Sequence, residues 1–214
     1  YGFGITVAGR IAEIVSGMPF DKLVDERICQ PLGMTDTMFH PDEAHRARIA
    51  QTYKMDDETH ELAPGYNDFV TSDVSVKHMT EPAGGLFSTA EDMGKFYQMI
   101  LDGGVWRGKR IVSEKSIAEM THAHQAGGKT ISYGLNWFVN IDDARPTPMM
   151  PVGSFGHGGA FATNGWVDPK NKLVTVFMVQ DVLVPNANQP RDTFHRLVNE
   201  ALGIPMPELP KKAK

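Results

Sequence analysis

The sequence predicts an α/β protein of the α+β kind, an antiparallel sheet flanked by helices, and three observations carry that reading. Apolar residues recur at helical spacing early in the chain, again from Met93, and again from Phe194. Beyond Ser132 the sequence turns aromatic and β-branched, and Pro169-Lys170-Asn171-Lys172 separates two strand-like runs, a hairpin signal. The order of helices, an irregular stretch, more helices, strands and a last helix puts helices on an antiparallel sheet, with no βαβ alternation. Residues 1–214 read as part of one domain, mainly helical over about 1–125, with sheet strands and a final helix over about 130–203.

In the first segment Ile5, Val7, Ala8, Ile11, Ala12, Ile14 and Val15 follow the helical period, and Gly17 supplies a stop. A second helix is expected from Pro19 or Phe20, with Phe20, Leu23, Val24 and Ile28 on one face, ending before Pro31 because proline disfavours a helical residue before it. From Thr35 to about Pro82 the periodicity fades. A loop of that length is either functional or contains short elements, and it is a natural wall over a site. Ser88 with Glu91 then reads as a capping box, ahead of an apolar face of Met93, Phe96, Tyr97, Ile100 and Leu101 and a Gly103-Gly104 stop. Ser113 caps a short helix holding Ile117 and Met120. Tyr133 to Asn140, Asn164 to Asp168 and Leu173 to Asp181 read as strands. The final helix follows Pro190 and turns Phe194, Leu197, Val198, Ala201 and Leu202 inward, with Gly203 at its end.

With 214 residues, 41% hydrophobic and 22% charged, the composition is that of a folded domain with a proper core. A net charge of -5 with no basic stripe gives nucleic acid no electrostatic foothold, and Lys211, Lys212 and Lys214 read as a solvated end. No apolar run is long enough to span a bilayer. Cys29 is the one cysteine, so no internal disulfide forms, and its apolar surroundings predict a small packed side chain.

Three places carry chemistry. They are Tyr1-Gly2-Phe3-Gly4 at the start of the first helix, Pro82-Ala83-Gly84-Gly85-Leu86-Phe87-Ser88-Thr89, and Gly156-His157-Gly158-Gly159-Ala160 before a strand. In the third, small residues around a polar side chain let a substrate approach the backbone, whose N–H can act as an oxyanion donor. A bulge or tight turn is the alternative reading of the same glycines. No serine stands in a Ser-x-x-Lys pattern: Ser75-Val76-Lys77 has the wrong spacing, and Ser154 is not in a Gly-x-Ser-x-Gly elbow.

Taken in order, Tyr1–Gly17, Pro31–Phe39, Pro82–Phe96, Gly104–Met120 and Gly156–Gln180 resemble the β-lactamase-related serine hydrolases, the family of class C β-lactamases, penicillin-binding proteins and family VIII carboxylesterases. The resemblance implies a β-lactamase/transpeptidase-like fold whose N-terminal part, with the Ser-x-x-Lys nucleophile, lies outside this chain. It implies an acyl-enzyme mechanism on a small-molecule ester or amide, with no cofactor and no metal, and favours a periplasmic or secreted setting. Tyr1 matches the family's proton-shuttling tyrosine. A tyrosine titrates at about pH 10 unperturbed, so that role requires adjacent positive charge. His157 with Gly158 and Gly159 matches the His-x-Gly variant of the Lys-Thr-Gly wall, and the Ala160 backbone becomes the oxyanion candidate. Gly2 and Phe3 in place of Ser-Asn, and His157 in place of Lys, lean away from β-lactamase and towards carboxylic-ester hydrolysis. β-Lactam or D-Ala-peptide turnover stands second, and a non-catalytic peptidoglycan- or partner-binding relative is the reading of a different class.

Other residues have blander readings. His122-Ala123-His124 has no third ligand at ligand spacing and reads as solvated. His40, His45 and His60 read as surface residues, Met149-Met150 as core filler, and Trp137 and Trp166 as core. Tyr133 and Phe161 are candidates for the acyl pocket.

Overall fold

The computed structural model describes residues 2–56, 58–65, 80–141, 147–182 and 188–205. Helix α1 (Gly2–Ser16) ends at Gly17, whose φ of +70° closes the C-terminus in a left-handed conformation. Its apolar period is as expected, but the stripe faces outward: Phe3, Val7, Ile11, Ile14 and Val15 are all exposed. The opposite side packs inward at Gly9, where a Cβ would run into the Pro82 ring.

The second helix does not stop before Pro31. Helix α2 (Phe20–Val24) widens into a π-helical turn, Asp25–Cys29, and continues as α3 (Gln30–Leu32) to a left-handed Gly33. The wider turn separates Pro31 from the carbonyls its ring would strike in a regular α-helix. Cys29 and Leu32 are buried by this arrangement.

The stretch from Thr35 to Pro82, irregular in the sequence, contains the short helix α4 (Glu43–Arg46) and strands β1 (Tyr53–Met55) and β2 (Leu62–Pro64). Residues 66–79 lie outside the described segments. His45 is not a free surface residue: it is half-buried, with its ring on Asp42.

Helix α5 (Ala90–Leu101) is capped one residue later than the sequence pattern indicates. The Thr89 hydroxyl accepts the Asp92 N–H, while Ser88 bonds the Thr37 hydroxyl. Asp92 is buried in compensation for many partners: it accepts from the Asp36 N–H at 2.8 Å, the Thr37 hydroxyl at 2.9 Å and Lys95 Nζ at 2.8 Å. A ribbon of β3 (Val105–Trp106) and β4 (Lys109–Arg110) leads to α6 (Glu114–Thr121), capped by Ser113 as expected, and a second ribbon pairs β5 (Gln125–Ala126) with β6 (Lys129–Thr130).

The main sheet has the order β10-β9-β8-β7, all antiparallel, formed by β7 (Phe138–Val139), β8 (Phe155–Gly158), β9 (Asn164–Asp168) and β10 (Leu173–Phe177). Tyr133 to Asn140 is thus mostly not strand, with one isolated bridge from Tyr133 to Phe138. The 164–177 hairpin is as expected. The chain then leaves this sheet, and β11 (Asp181–Val182) pairs parallel with β1. Helix α7 (Asn188–Ala201) begins two residues before Pro190.

Every residue of β9 is buried, because helices cover both faces. Gly165 faces the Tyr97 ring of α5 so closely that no Cβ would fit, and Val167 joins the same core with Trp137 and Phe155. On the alternate side Asn164 meets the His195 ring of α7 at 3.1 Å. Trp137 fixes the α5 side, stacked on Phe96 and edge-on to Tyr97 and Phe155. Trp166 and Met150 are fully buried, consistent with their core reading.

Candidate functional site

The site is built at the end of β8. Strand β7 pairs with β8 only at Phe155 and Gly156, so His157 and Gly158 run past it while β9 still pairs with them on the other side. This half of β8 is a sheet edge, with backbone groups available to a bound chain or acyl group.

The His157 ring lies flat on Phe138, with centroids 4.8 Å apart, and its Nδ1 is 2.6 Å from the Gly158 carbonyl. A nitrogen that close to a carbonyl must be the N–H donor, which leaves Nε2 directed at the Tyr133 hydroxyl, 3.4 Å away. That hydroxyl donates to Asn136 Oδ1 at 2.9 Å. Asn136 adopts a φ of +62°, a conformation asparagine tolerates better than most residues. Tyr133, expected as a pocket lining, therefore stands between Asn136, which takes its one hydroxyl proton, and the unprotonated His157 Nε2, which it meets as a polar contact. The sequence carries a signal for this: Tyr-x-x-Asn in a turn before an aromatic pair.

The glycines after His157 have two structural duties. Gly159 N–H donates to the Thr163 carbonyl at 2.8 Å and its own carbonyl accepts from Ala162 N–H, closing the β8–β9 turn. A Cβ at Gly159 would overlap the Thr163 hydroxyl. The glycine cluster is thus a tight turn, and that turn brings Ala160 to the surface. Among the described residues, the Ala160 N–H donates to no protein acceptor, and the residue is exposed. Phe161 follows in the same turn, its carbonyl accepting from Asp181 N–H.

Tyr1 lies outside the described residues. The helix behind it is tied to the Pro82 motif. The Thr6 hydroxyl donates to Glu81 Oε1 at 2.6 Å, and the same carboxylate accepts the Ala83 N–H at 3.0 Å. These two bonds, the Thr6 one foremost, hold the Glu81 carboxyl below the usual range. The Glu81 carbonyl accepts from both Gly84 and Gly85, which shapes the turn. Glu81 was not singled out in the sequence, where a lone carboxylate before a proline has no distinguishing spacing. Two of the three motifs are thus in contact. Among the described residues no hydrogen bond or ring contact joins either of them to His157. A groove of about 520 Å³ between α2 and the Met34–His40 segment, lined by Asp21, Thr37 and Leu86 among others, is separate from His157 as well.

Comparison with known proteins identifies the family. The family model described as Beta-lactamase matches residues 2–200, and the chain belongs to that family. An uncharacterised protein of Mycobacterium tuberculosis is 30% identical over 201 residues, covering 84% of this chain and 48% of the relative. A Salmonella schwarzengrund protein named as a candidate D-alanyl-D-alanine carboxypeptidase is 27% identical over 198 residues, covering 85% of this chain and 45% of its own. The chain spans about half the length of these curated relatives. Among solved structures, simvastatin synthase from Aspergillus terreus superposes with a TM-score of 0.79 at 20% identity, over 95% of this chain and 56% of that one. A penicillin-binding protein homologue from Caulobacter crescentus gives 0.69 at 20% identity, over 92% and 56%. At these identities the superpositions show the fold, which is β-lactamase/transpeptidase-like. Among the described residues no helix is long and apolar enough to cross a membrane.

Proposed function

We propose that this chain forms one wall of an acyl-transfer site in a serine hydrolase, acting on small carboxylic esters through an acyl-enzyme. The observation that carries the reading is the end of β8: an open strand edge, a histidine anchored by its neighbours, and, directly after the glycine pair, an Ala160 N–H with no acceptor among the described residues. Acyl transfer needs an N–H aimed at the carbonyl oxygen as it gains charge, and a rigid turn holds such a donor in place before the reaction begins. In this reading a serine outside the 214 residues attacks the carbonyl carbon. Tyr1 relays the serine's proton to the leaving group, Ala160 N–H binds the oxyanion, and water then releases the acid.

His157 shapes the acyl or leaving-group side. Its flat stacking on Phe138 and its link to Tyr133 make that side aromatic and lightly polar. A lysine at this position would present a mobile point charge to a carboxylate, as a β-lactam or D-Ala peptide requires. This is why esters come first and those substrates second.

The test is turnover of p-nitrophenyl esters by the intact protein, together with labelling by a fluorophosphonate probe. Hydrolysis and labelling are expected, and the 214-residue chain by itself should show neither. Absence of both in the intact protein would replace the enzyme with a binding relative. Activity in the isolated chain would show that the nucleophile has been misassigned.

A further inference from the structure

In the sequence His122 and His124 read as a solvated pair lacking a third ligand, but the fold supplies one. Glu119, on the last turn of α6, joins them, and one donor atom from each of the three residues lies within 4.8 Å of the other two. We propose that Glu119, His122 and His124 form a binding site for a divalent transition cation of the zinc type.

The arrangement follows from where α6 ends. His122 is its C-cap, with extended dihedrals of φ -101° and ψ 157°. From an extended residue onward, side chains two apart point the same way, which brings His124 beside His122. Their rings stand 4.3 Å apart, centroid to centroid, tilted by 35°. His122 Nδ1 lies 2.9 Å from the Ala118 carbonyl and so carries its proton, which leaves the Nε2 lone pair available. A backbone carbonyl holding the non-ligating N–H is the usual support of a metal-binding imidazole. His124 Nε2 lies 3.1 Å from the Glu119 backbone carbonyl and 3.8 Å from a Glu119 carboxylate oxygen, so to serve as a ligand it must exchange the carbonyl bond for the cation. These groups gather at the C-terminal end of a helix, where the peptide dipoles favour a cation.

Two imidazoles and one carboxylate suit zinc and its neighbours better than calcium or magnesium, which prefer oxygen ligands throughout. Tetrahedral bonds of about 2.0–2.1 Å put ligand atoms about 3.3 Å apart. The cluster must therefore tighten slightly, which is open to Glu119 because its side chain is more than half exposed. The fourth position would take water. The backbone beneath is already fixed: His124 N–H donates to the Tyr133 carbonyl, its carbonyl accepts from Ile131, and Leu135 N–H donates to the Met120 carbonyl. A bound cation would clamp the end of α6 to the loop that holds Tyr133. The site stands independently of the acyl-transfer reading.

The intact protein, prepared without a histidine tag and treated with chelator, should take up one zinc ion per chain in a competition titration against a chromophoric chelator. His122→Ala and His124→Ala should each weaken uptake at least about tenfold, and Glu119→Gln by less. Glu119 and His122 are exposed and His124 is partly exposed, so these variants should keep the wild-type circular dichroism. On the wild-type protein, cobalt(II) should broaden the NMR resonances of His122 and His124 ahead of the other histidines. Lack of saturable zinc uptake, uptake unchanged in both histidine variants, or broadening centred on other histidines would each overturn the assignment.

Discussion

The Tyr133 hydroxyl stands between two partners, donating to Asn136 Oδ1 at 2.9 Å and facing His157 Nε2 at 3.4 Å. The imidazole is held at Nδ1 by the Gly158 carbonyl, while its unprotonated Nε2 faces the phenol oxygen. Tyr133→Phe keeps the ring that packs edge-on against Phe138 and removes only the hydroxyl. The expected result is an ester hydrolysis rate lower by about tenfold, the worth of one hydrogen bond of about 1.4 kcal/mol. His157→Ala should cost more, because it also takes away the surface stacked on Phe138. Steady-state kinetics on the intact protein check both, and an unchanged kcat/KM in both variants would remove this polar contact from the site.

Gly159 tests the turn. An alanine there overlaps the Thr163 hydroxyl, so either that side chain turns away or the loop presenting Ala160 shifts. Gly159→Ala should lower kcat more than it lowers stability. Gly165→Ala is the control with the opposite balance: its Cβ meets the Tyr97 ring in the core, and overpacking of that kind costs about 1–3 kcal/mol. Urea melts and kinetics, run on both variants, separate the two effects.

His195 makes stability depend on pH. It is buried against Asn164, and burial foremost, with a smaller push from Arg191, lowers its pKa to about 4. Its Nδ1 has no partner among the described residues. Above about pH 6.5 the ring is neutral in both the folded and the unfolded chain, and nothing is lost. As pH falls towards 4, the unfolded chain takes up a proton that the folded one refuses, so stability falls across that window, by up to about 3 kcal/mol. Urea melts at pH 7 and pH 5 should show the loss, and His195→Gln should flatten it.

Cys29 should be inert while the protein is folded. The side chain is 3% exposed, and burial, helped by the charges of Asp25 and Asp92, pushes its thiol up to about 11. Thiolate is the reactive form, so a disulfide reagent at pH 8 should label almost none of the native protein and all of it in urea. Rapid native labelling would mean that the π-helical turn opens readily.

The parts of the fold that were legible in the sequence are those fixed by local periodicity. The 164–177 hairpin, α5 and the Ser113 cap follow from alternation, helical spacing and a hydroxyl at the right place. Pro31 misled because a π-turn relieves a clash that a regular helix cannot. The Thr89 cap was displaced by one residue because Ser88 had a better partner in Thr37, 51 positions away. At the site, His157 and its glycines were visible as a motif. Tyr133–His157, Thr6–Glu81 and Glu119 beside the histidines were not, since each depends on how separate segments meet, on where a helix ends, or on which way a side chain turns.

The outward stripe of α1 has a consequence for how the first motif is held. A helix of 15 residues is close to the shortest that persists alone in water, and here its apolar half meets solvent. Among the described residues its inward ties include Gly9 against Pro82, Thr6 to Glu81, and Glu13 to the Phe20 N–H. Amide exchange along α1 should consequently be fast when the stripe is bare and slow when it is covered. Whatever lies against Val7, Ile11 and Ile14 would then steady the N-terminal end of the helix, making a contact remote from the chemistry a determinant of its geometry.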